Sequence, residues 1–344
     1  MIEIDGSAGE GGGQIVRSSL ALALVTGQAI HIRNIRGNRP KPGLRQQHLT
    51  ALKAATEIGA ADVSGADVGS SQLTFQPRGI HAGEYHFRIG TAGSTTLVLQ
   101  SILPALCLAE QTSTIRLEGG THNAWAPPFE FLTHVYLPLL NRMGPTVSLD
   151  LQRHGFHPAG GGEFIARIQP CRTFRGLNLT DRGKLLQRQV IAKVSRLPLH
   201  VAERECQTFQ RLAKWQGDCS VIEEVDSAGP GNIVLAWLKY QHLSELFSKP
   251  GQRGLKAEHV AKAVCRQVQD YENADAPVGP YLADQLLLPL AIAAHHGQPS
   301  QFRTVALTRH STTHIDILQR FLQVSIEVEA SEENNVLVRL ARKD

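Results

Sequence analysis

No apolar run in this 344-residue chain reaches the roughly 18 residues that a membrane-spanning helix needs. The opening MIEIDGSAGEGG lacks a basic start followed by an apolar stretch, which argues against a secretory leader. Cysteines are few and odd in number (Cys107, Cys171, Cys206, Cys219 and Cys265), and no two form a CxxC pair. A disulfide framework and a structural zinc site are therefore not expected, and a reduced, cytoplasmic setting is. Three nucleotide or nucleophile signatures are also missing: GxxxxGK[ST], GxGxxG after a strand, and GxSxG. Any use of ATP must proceed without a Walker loop.

The most informative absence is local. From Gly11 to Lys53 there is no acidic residue, although Arg17, Arg33, Arg36, Arg39, Lys41, Arg45 and Lys53 all fall there. The formal net charge of the whole chain is only +4, so cations are concentrated in this stretch. A run of this kind is often just a solvated face, but solvated faces favour lysine. Here arginine dominates, and its planar fork matches phosphate oxygens in pairs. The stretch begins in the glycine turn GEGGGQ, where Gly11, Gly12 and Gly13 allow close backbone approach and the following helix start offers free amides. Phosphate or nucleic-acid binding is the expected use. A plain hairpin or bulge is the competing reading of the turn, and Gly160 to Gly162 read equally well as a strand-to-strand turn.

At 42% hydrophobic and 19% charged residues, the chain has the composition of a folded protein long enough for two domains. Periodicity exposes a repeated βαβα plan, hence an α/β (α+β) fold class. The first copy has a strand at Ile2 to Ile4, a helix from Ile15 to Val25, a strand from Ala29 to Ile35 and a helix from Arg45 to Ile58. The second starts at Tyr85, with helices from Thr95 to Leu108 and from Pro128 to Met143. The third is expected only after Val278, with helices from Tyr281 to Ala294 and from Thr313 to Leu322. Residues 181–275 interrupt the series with a strand–helix–strand–strand–helix pattern of their own. The expected division is a large domain of 1–180 plus 276–344, with 181–275 as an inserted smaller domain. If the three copies surround a pseudo-threefold axis, the loops after their middle strands converge. Arg36, Arg39, Asn123 and His310 would then share one cleft.

Among the 15 histidines, His310 stands out because it lies on a short loop between a predicted strand and helix, beside Arg309. A neutral imidazole placed there can attack an anion held by the helix N-terminus. His314 follows at a spacing that also suits a metal pair, but no third ligand is evident. Asp284 is expected in the first turn of its helix, where a carboxylate favours the dipole or, more sharply, orients a histidine or holds a ribose. Glu10, alone among phosphate-binding elements, is a natural magnesium ligand, with simple turn chemistry as the alternative.

With these residues assembled, the chain resembles the RNA 3′-terminal phosphate cyclases along essentially its whole length. The resemblance rests on GEGGGQIVRSSL, IRGNRPKPGLRQQHLTAL, GSTTLVLQSILPAL, EGGTHNAWAPP, RHGFHPAGGG, YLADQLLLPLA and the His310 loop. It implies three βαβα units with an insert similar to the C-terminal domain of translation initiation factor 3. It also implies an ATP-dependent conversion of an RNA 3′-phosphate to a 2′,3′-cyclic phosphodiester through a covalent histidine–AMP. By the same resemblance His310 is the nucleophile and Glu10 associates with the metal, Mg²⁺ or Mn²⁺. Arg17, Arg36, Arg39, Gln47 and His48 line the site for phosphate and the RNA 3′-end. Gln100, Pro127, Tyr281 and Asp284 line the adenylate pocket, with Asp284 orienting His310.

Three positions depart from the family pattern: Pro280 where an acidic residue is usual, His122 for an aspartate or asparagine, and His314 for a small or amide residue. Two other functions compete with the cyclase reading. A cyclase-like RNA-binding or ribosome-assembly factor would need no nucleophile at 310. An enolpyruvyl transferase also repeats βαβα units and binds anions with arginine, but forms no covalent nucleotide.

Overall fold

The structure is a computed structural model that describes residues 1–217, 219–331 and 335–343. It is a mixed α/β protein with four four-stranded sheets among the described residues. Three of the sheets share one strand order: first, second, fourth, third. In the first, Ile2–Asp5 runs parallel to Ile30–Arg33, which pairs antiparallel with Leu73–Gln76 and through it with Asp62–Ser64. In the second, Glu84–Arg88, Ser113–Gly119, Gly162–Gln169 and Thr146–Arg153 lie side by side in that order. Two helices accompany each of these sheets, Gly13–Thr26 with Gln46–Gly59 and Thr95–Leu106 with an irregular helix over 129–142 that widens to a π turn at Leu132–Tyr136.

The third sheet corrects the expected start of the third copy. Its opening strand is Asn178–Leu179, which pairs parallel with Ser300–Val305, and so precedes residues 181–275 instead of following Val278. Asn335–Arg342 and Val324–Ala330 complete the order. The helices here are Pro280–His295 and Arg309–Phe321.

Residues between these parts form the fourth sheet, ordered Ser220–Glu224, Leu185–Ser195, Gly231–Tyr240, Ser244–Pro250, with helices His200–Ala213 and Ala257–Asn273. One strand more is present than the sequence pattern indicates. Phe209, Trp215, Phe247 and Val264 belong to a cluster of buried side chains separate from the main core.

The first helix of each of these three one-sheet units is apolar on nearly every side. Gly13–Thr26, Thr95–Leu106 and Pro280–His295 bury almost all their residues, as helices without a polar face must. Their N-termini carry Gln14 and Arg17, Ser94 and Thr95, and Tyr281 and Asp284. A central core therefore holds the starts of three helices close together, and the site is assembled there.

Candidate active site

His310 lies in the first turn of the Arg309–Phe321 helix, not on the loop ahead of it. Thr308 caps that helix: its hydroxyl accepts the Ser311 N–H at 3.1 Å. The sequence pattern delays the helix start to Thr313 because Arg-His-Ser-Thr-Thr-His offers no apolar period. Asp284 is likewise displaced. It sits one turn inside the Pro280–His295 helix and is buried, so the dipole role expected for a first-turn acid does not apply.

These two residues meet. His310 Nδ1 is 2.9 Å from Asp284 Oδ1. Burial opposes ionisation of Asp284, yet hydrogen bonding from His310 and the neighbouring His314 ring hold its carboxyl well below the usual carboxylate range. An ionised carboxylate only accepts, so Nδ1 carries a proton, and in the neutral tautomer the lone pair is then on Nε2. Nε2 in turn faces Glu10, whose Oε2 lies 3.7 Å away. Two further groups that the sequence did not single out support Asp284. Gln14 Nε2 donates to Oδ1 at 2.9 Å, and Gln285 Nε2 lies 3.4 Å from Oδ2. Gln14 ends the glycine motif, which was the available signal. His314 Nδ1 stands 3.5 Å from Asp284 while its Nε2 meets Ser18 Oγ at 3.1 Å, so it braces the carboxylate from behind.

A cleft of about 540 Å³ opens over this group. Of the expected residues, Glu10, Arg17, Gln100, Pro127, Tyr281, Asp284 and His310 line it, together with Asn123. Gln100 hydrogen-bonds Gln285, and Thr96 Oγ1 donates to the Pro127 carbonyl at 2.8 Å, so the two walls are tied to their helices. Strand Ser244–Pro250 also reaches the site. The buried carboxyl of Glu245 accepts the Gly279 N–H at 2.6 Å, directly ahead of the helix that carries Tyr281 and Asp284.

The other basic residues expected here, Arg36, Arg39 and His48, do not line the cleft. Arg39 pairs with Glu10. His48 accepts the Arg45 N–H through Nδ1 at 3.1 Å, and its Nε2 is turned on Gly13, where any Cβ would collide with it. Burial and the charges of Arg17, Arg36 and Arg45 push His48 down to about 3, so it is neutral at pH 7 and presents Nε2–H. Arg17 is drawn down by burial to about 10, opposed by Asp284 and Glu10, and stays charged. The helix start beside it, capped by Gly12, has no side-chain cap and leaves backbone N–H groups free. Arg36 is placed differently: its Nη1 donates to the Lys41 and Gly43 carbonyls at 2.7 and 3.0 Å. It does not line the cleft. Gln47 lies in a shallower hollow next to the cleft, and its Oε1 accepts the Ser94 N–H at 2.8 Å.

Of the departures from the family pattern, Pro280 is the first helical residue, where its missing N–H costs nothing. His122 is buried, with Nε2 2.8 Å from Glu130, which also meets Lys193 Nζ at 2.9 Å. Among the described residues, His122, Glu130 and His154 are the one group of three potential metal ligands close enough to share an ion. The His122 and His154 rings are stacked 25° from parallel, so their in-plane lone pairs do not converge.

Comparison with known proteins agrees with this arrangement. The family model described as RNA 3′-terminal phosphate cyclase matches residues 8–328. A protein of Koribacter versatilis named RNA 3′-terminal phosphate cyclase is 45% identical over all of this chain and 96% of its own length. Proteins of the same name from Ralstonia nicotianae and Salmonella typhimurium are 45% and 43% identical, covering 98% and 99% of this chain and 96% and 99% of their own. The chain belongs to the RNA 3′-terminal phosphate cyclase family.

Proposed function

We propose that this protein is an ATP-dependent ligase that converts an RNA 3′-terminal phosphate to a 2′,3′-cyclic phosphodiester. The observation that carries the reading is the His310–Asp284 pair with Nε2 turned to the cleft. Imidazole is nucleophilic only through an unprotonated nitrogen, and the carboxylate dictates which nitrogen that is.

Three displacements follow. His310 Nε2 attacks the α-phosphorus of ATP, a nitrogen–phosphorus bond forms and pyrophosphate leaves. The ring then bears positive charge, which Asp284 offsets. An oxygen of the RNA 3′-phosphate next attacks the same phosphorus, and His310 leaves with its lone pair restored. Finally the vicinal 2′-hydroxyl attacks the 3′-phosphorus, loses its proton to solvent and expels AMP. Proximity is already supplied by the ribose, since intramolecular attack of this kind has effective molarities on the order of 10⁵ M or more. What the terminal phosphate lacks is a leaving group, and ATP provides one.

Gathering these anions is costly. Two like charges about 4 Å apart repel by roughly 4 kcal/mol at an effective dielectric near 20. Arg17, the free N–H groups around Gly12 and the Nε2–H of His48 supply the offset without reorganising. Pro127 and Tyr281 take the adenine, and Gln100 and Gln285 offer polar contacts beside it. Glu10, at the cleft lining, would hold a magnesium or manganese ion through its carboxylate, an oxygen donor that suits such hard cations. Bound there, the ion would neutralise phosphate charge. Arg39 would then turn from Glu10 toward the RNA end.

We also assign residues 181–275 to a separate inserted domain and 1–180 with 276–344 to the catalytic one, acting in the cytoplasm on RNA. A catalytically silent RNA-binding factor has no use for the Asp284–His310 pair. Incubation with ATP labelled in the α- or γ-phosphate separates the two: retained α-label with released γ-label is expected, and no retention of either label contradicts catalysis.

A further inference from the structure

Trp125 is 99% exposed, whereas Trp215 is buried and Trp237 half-buried. It also sits at φ +64°, a left-handed conformation that strains a bulky residue. An apolar side chain held in water by a strained backbone is unfavourable twice over, and the fold gains no core packing from it. Its position is specific. The loop from Asn123 to Ala126 is the rim shared by the nucleotide cleft and the neighbouring hollow of about 470 Å³.

We propose that the Trp125 indole is a stacking platform for the terminal base of the RNA substrate, seated in that hollow. This rests on the reading of the cleft as an RNA 3′-end site. Gln47 and His157 provide polar edges in the same hollow. Gln47 comes from the acid-free, arginine-rich stretch, so the hollow opens on the side suited to a polyanion. The nucleotide already has an aromatic of its own, Tyr281, from a different helix. Single-stranded bases bind by stacking on an aromatic face beside a cationic backbone track, and this needs no sequence preference. The loop geometry turns the indole outward for that purpose.

The test uses a 3′-phosphorylated oligoribonucleotide with wild-type protein, Trp125→Ala and Trp125→Phe. For Trp125→Ala, the KM for RNA in cyclisation should rise about tenfold, as loss of one base stack predicts. Trp125→Phe should stay within about twofold of wild type, and self-adenylylation without RNA should keep its ATP dependence in both. Tryptophan fluorescence of the wild type should be quenched by the oligonucleotide alone, and the quench should be missing in Trp125→Phe. An unchanged RNA KM in Trp125→Ala overturns the proposal, as does equal loss in Ala and Phe variants. A raised ATP requirement in self-adenylylation also overturns it, by moving the indole to the nucleotide. If the wild type forms no nucleotide adduct, the cyclase reading fails, while the fluorescence quench still decides whether RNA reaches Trp125.

Discussion

The 2.9 Å contact between His310 Nδ1 and Asp284 Oδ1 joins two helices and leaves Nε2 of His310 facing Glu10. Asp284→Asn keeps the shape but removes the charge and lets the amide donate to the ring, which favours the wrong tautomer. Adduct formation should slow by about 100-fold or more while the KM for ATP changes little. A variant that formed adduct at the normal rate would mean that the carboxylate is only structural.

Arg39 is the cation paired with Glu10, which lines the cleft. Arg39→Ala should weaken cyclisation of RNA ends more than self-adenylylation, measured as separate single-turnover rates. Arg36→Ala should act differently. Because Arg36 ties its own loop through the Lys41 and Gly43 carbonyls, its loss should lower thermal stability as well as RNA processing. Equal losses in both steps for Arg39→Ala would place that side chain at the nucleotide instead.

His48 gives the structure a pH dependence with a definite sign. Its folded pKa is pushed down to about 3, below the ordinary value of about 6.5, so the unfolded chain binds the extra proton. Its contribution to stability is complete above pH 6.5 and is lost as pH falls toward 3. Glu245 runs the other way. Burial raises its carboxyl to about 8, so its contribution is complete below its ordinary value of 4.5 and lost as pH rises through 8. Melting curves of His48→Asn between pH 4 and 7 should be flatter than wild type. Glu245→Gln should be flatter between pH 5 and 8, since an amide oxygen still accepts from Gly279. A variant that melts in parallel with wild type across its window refutes the corresponding assignment.

Thr308 caps the helix that presents His310. Thr308→Ala should cost about 1 kcal/mol of stability, read from denaturant midpoints, and slow adduct formation by fraying the first turn. Unaltered adduct kinetics would show that Asp284 alone positions the imidazole.

Much of this arrangement was legible in the sequence, for physical reasons that also explain the rest. The apolar helices announce themselves by composition, and the glycine turn marks the segment that brings Glu10, Gln14 and Arg17 to the cleft. Asn178–Leu179 did not, because a two-residue strand has no period and its partner lies more than a hundred residues away. The placement of His310 within its helix depended on one threonine cap in a polar run. Asp284 read either as a dipole partner or as the group that orients a histidine, because nothing local shows that Gln14 and His310 from other segments satisfy a buried carboxylate there. Arg36 looked equal to Arg39, since composition does not distinguish a guanidinium that faces its own loop from one paired with Glu10.

The most direct test is peptide mapping after incubation with α-labelled ATP and magnesium in the absence of RNA. The label should be acid-labile, as a phosphorus–nitrogen bond is, and should map to the peptide containing His310. His310→Ala should carry none while its melting temperature stays within about 4 °C of wild type. A label on any other residue, or undiminished labelling of His310→Ala, would contradict the account.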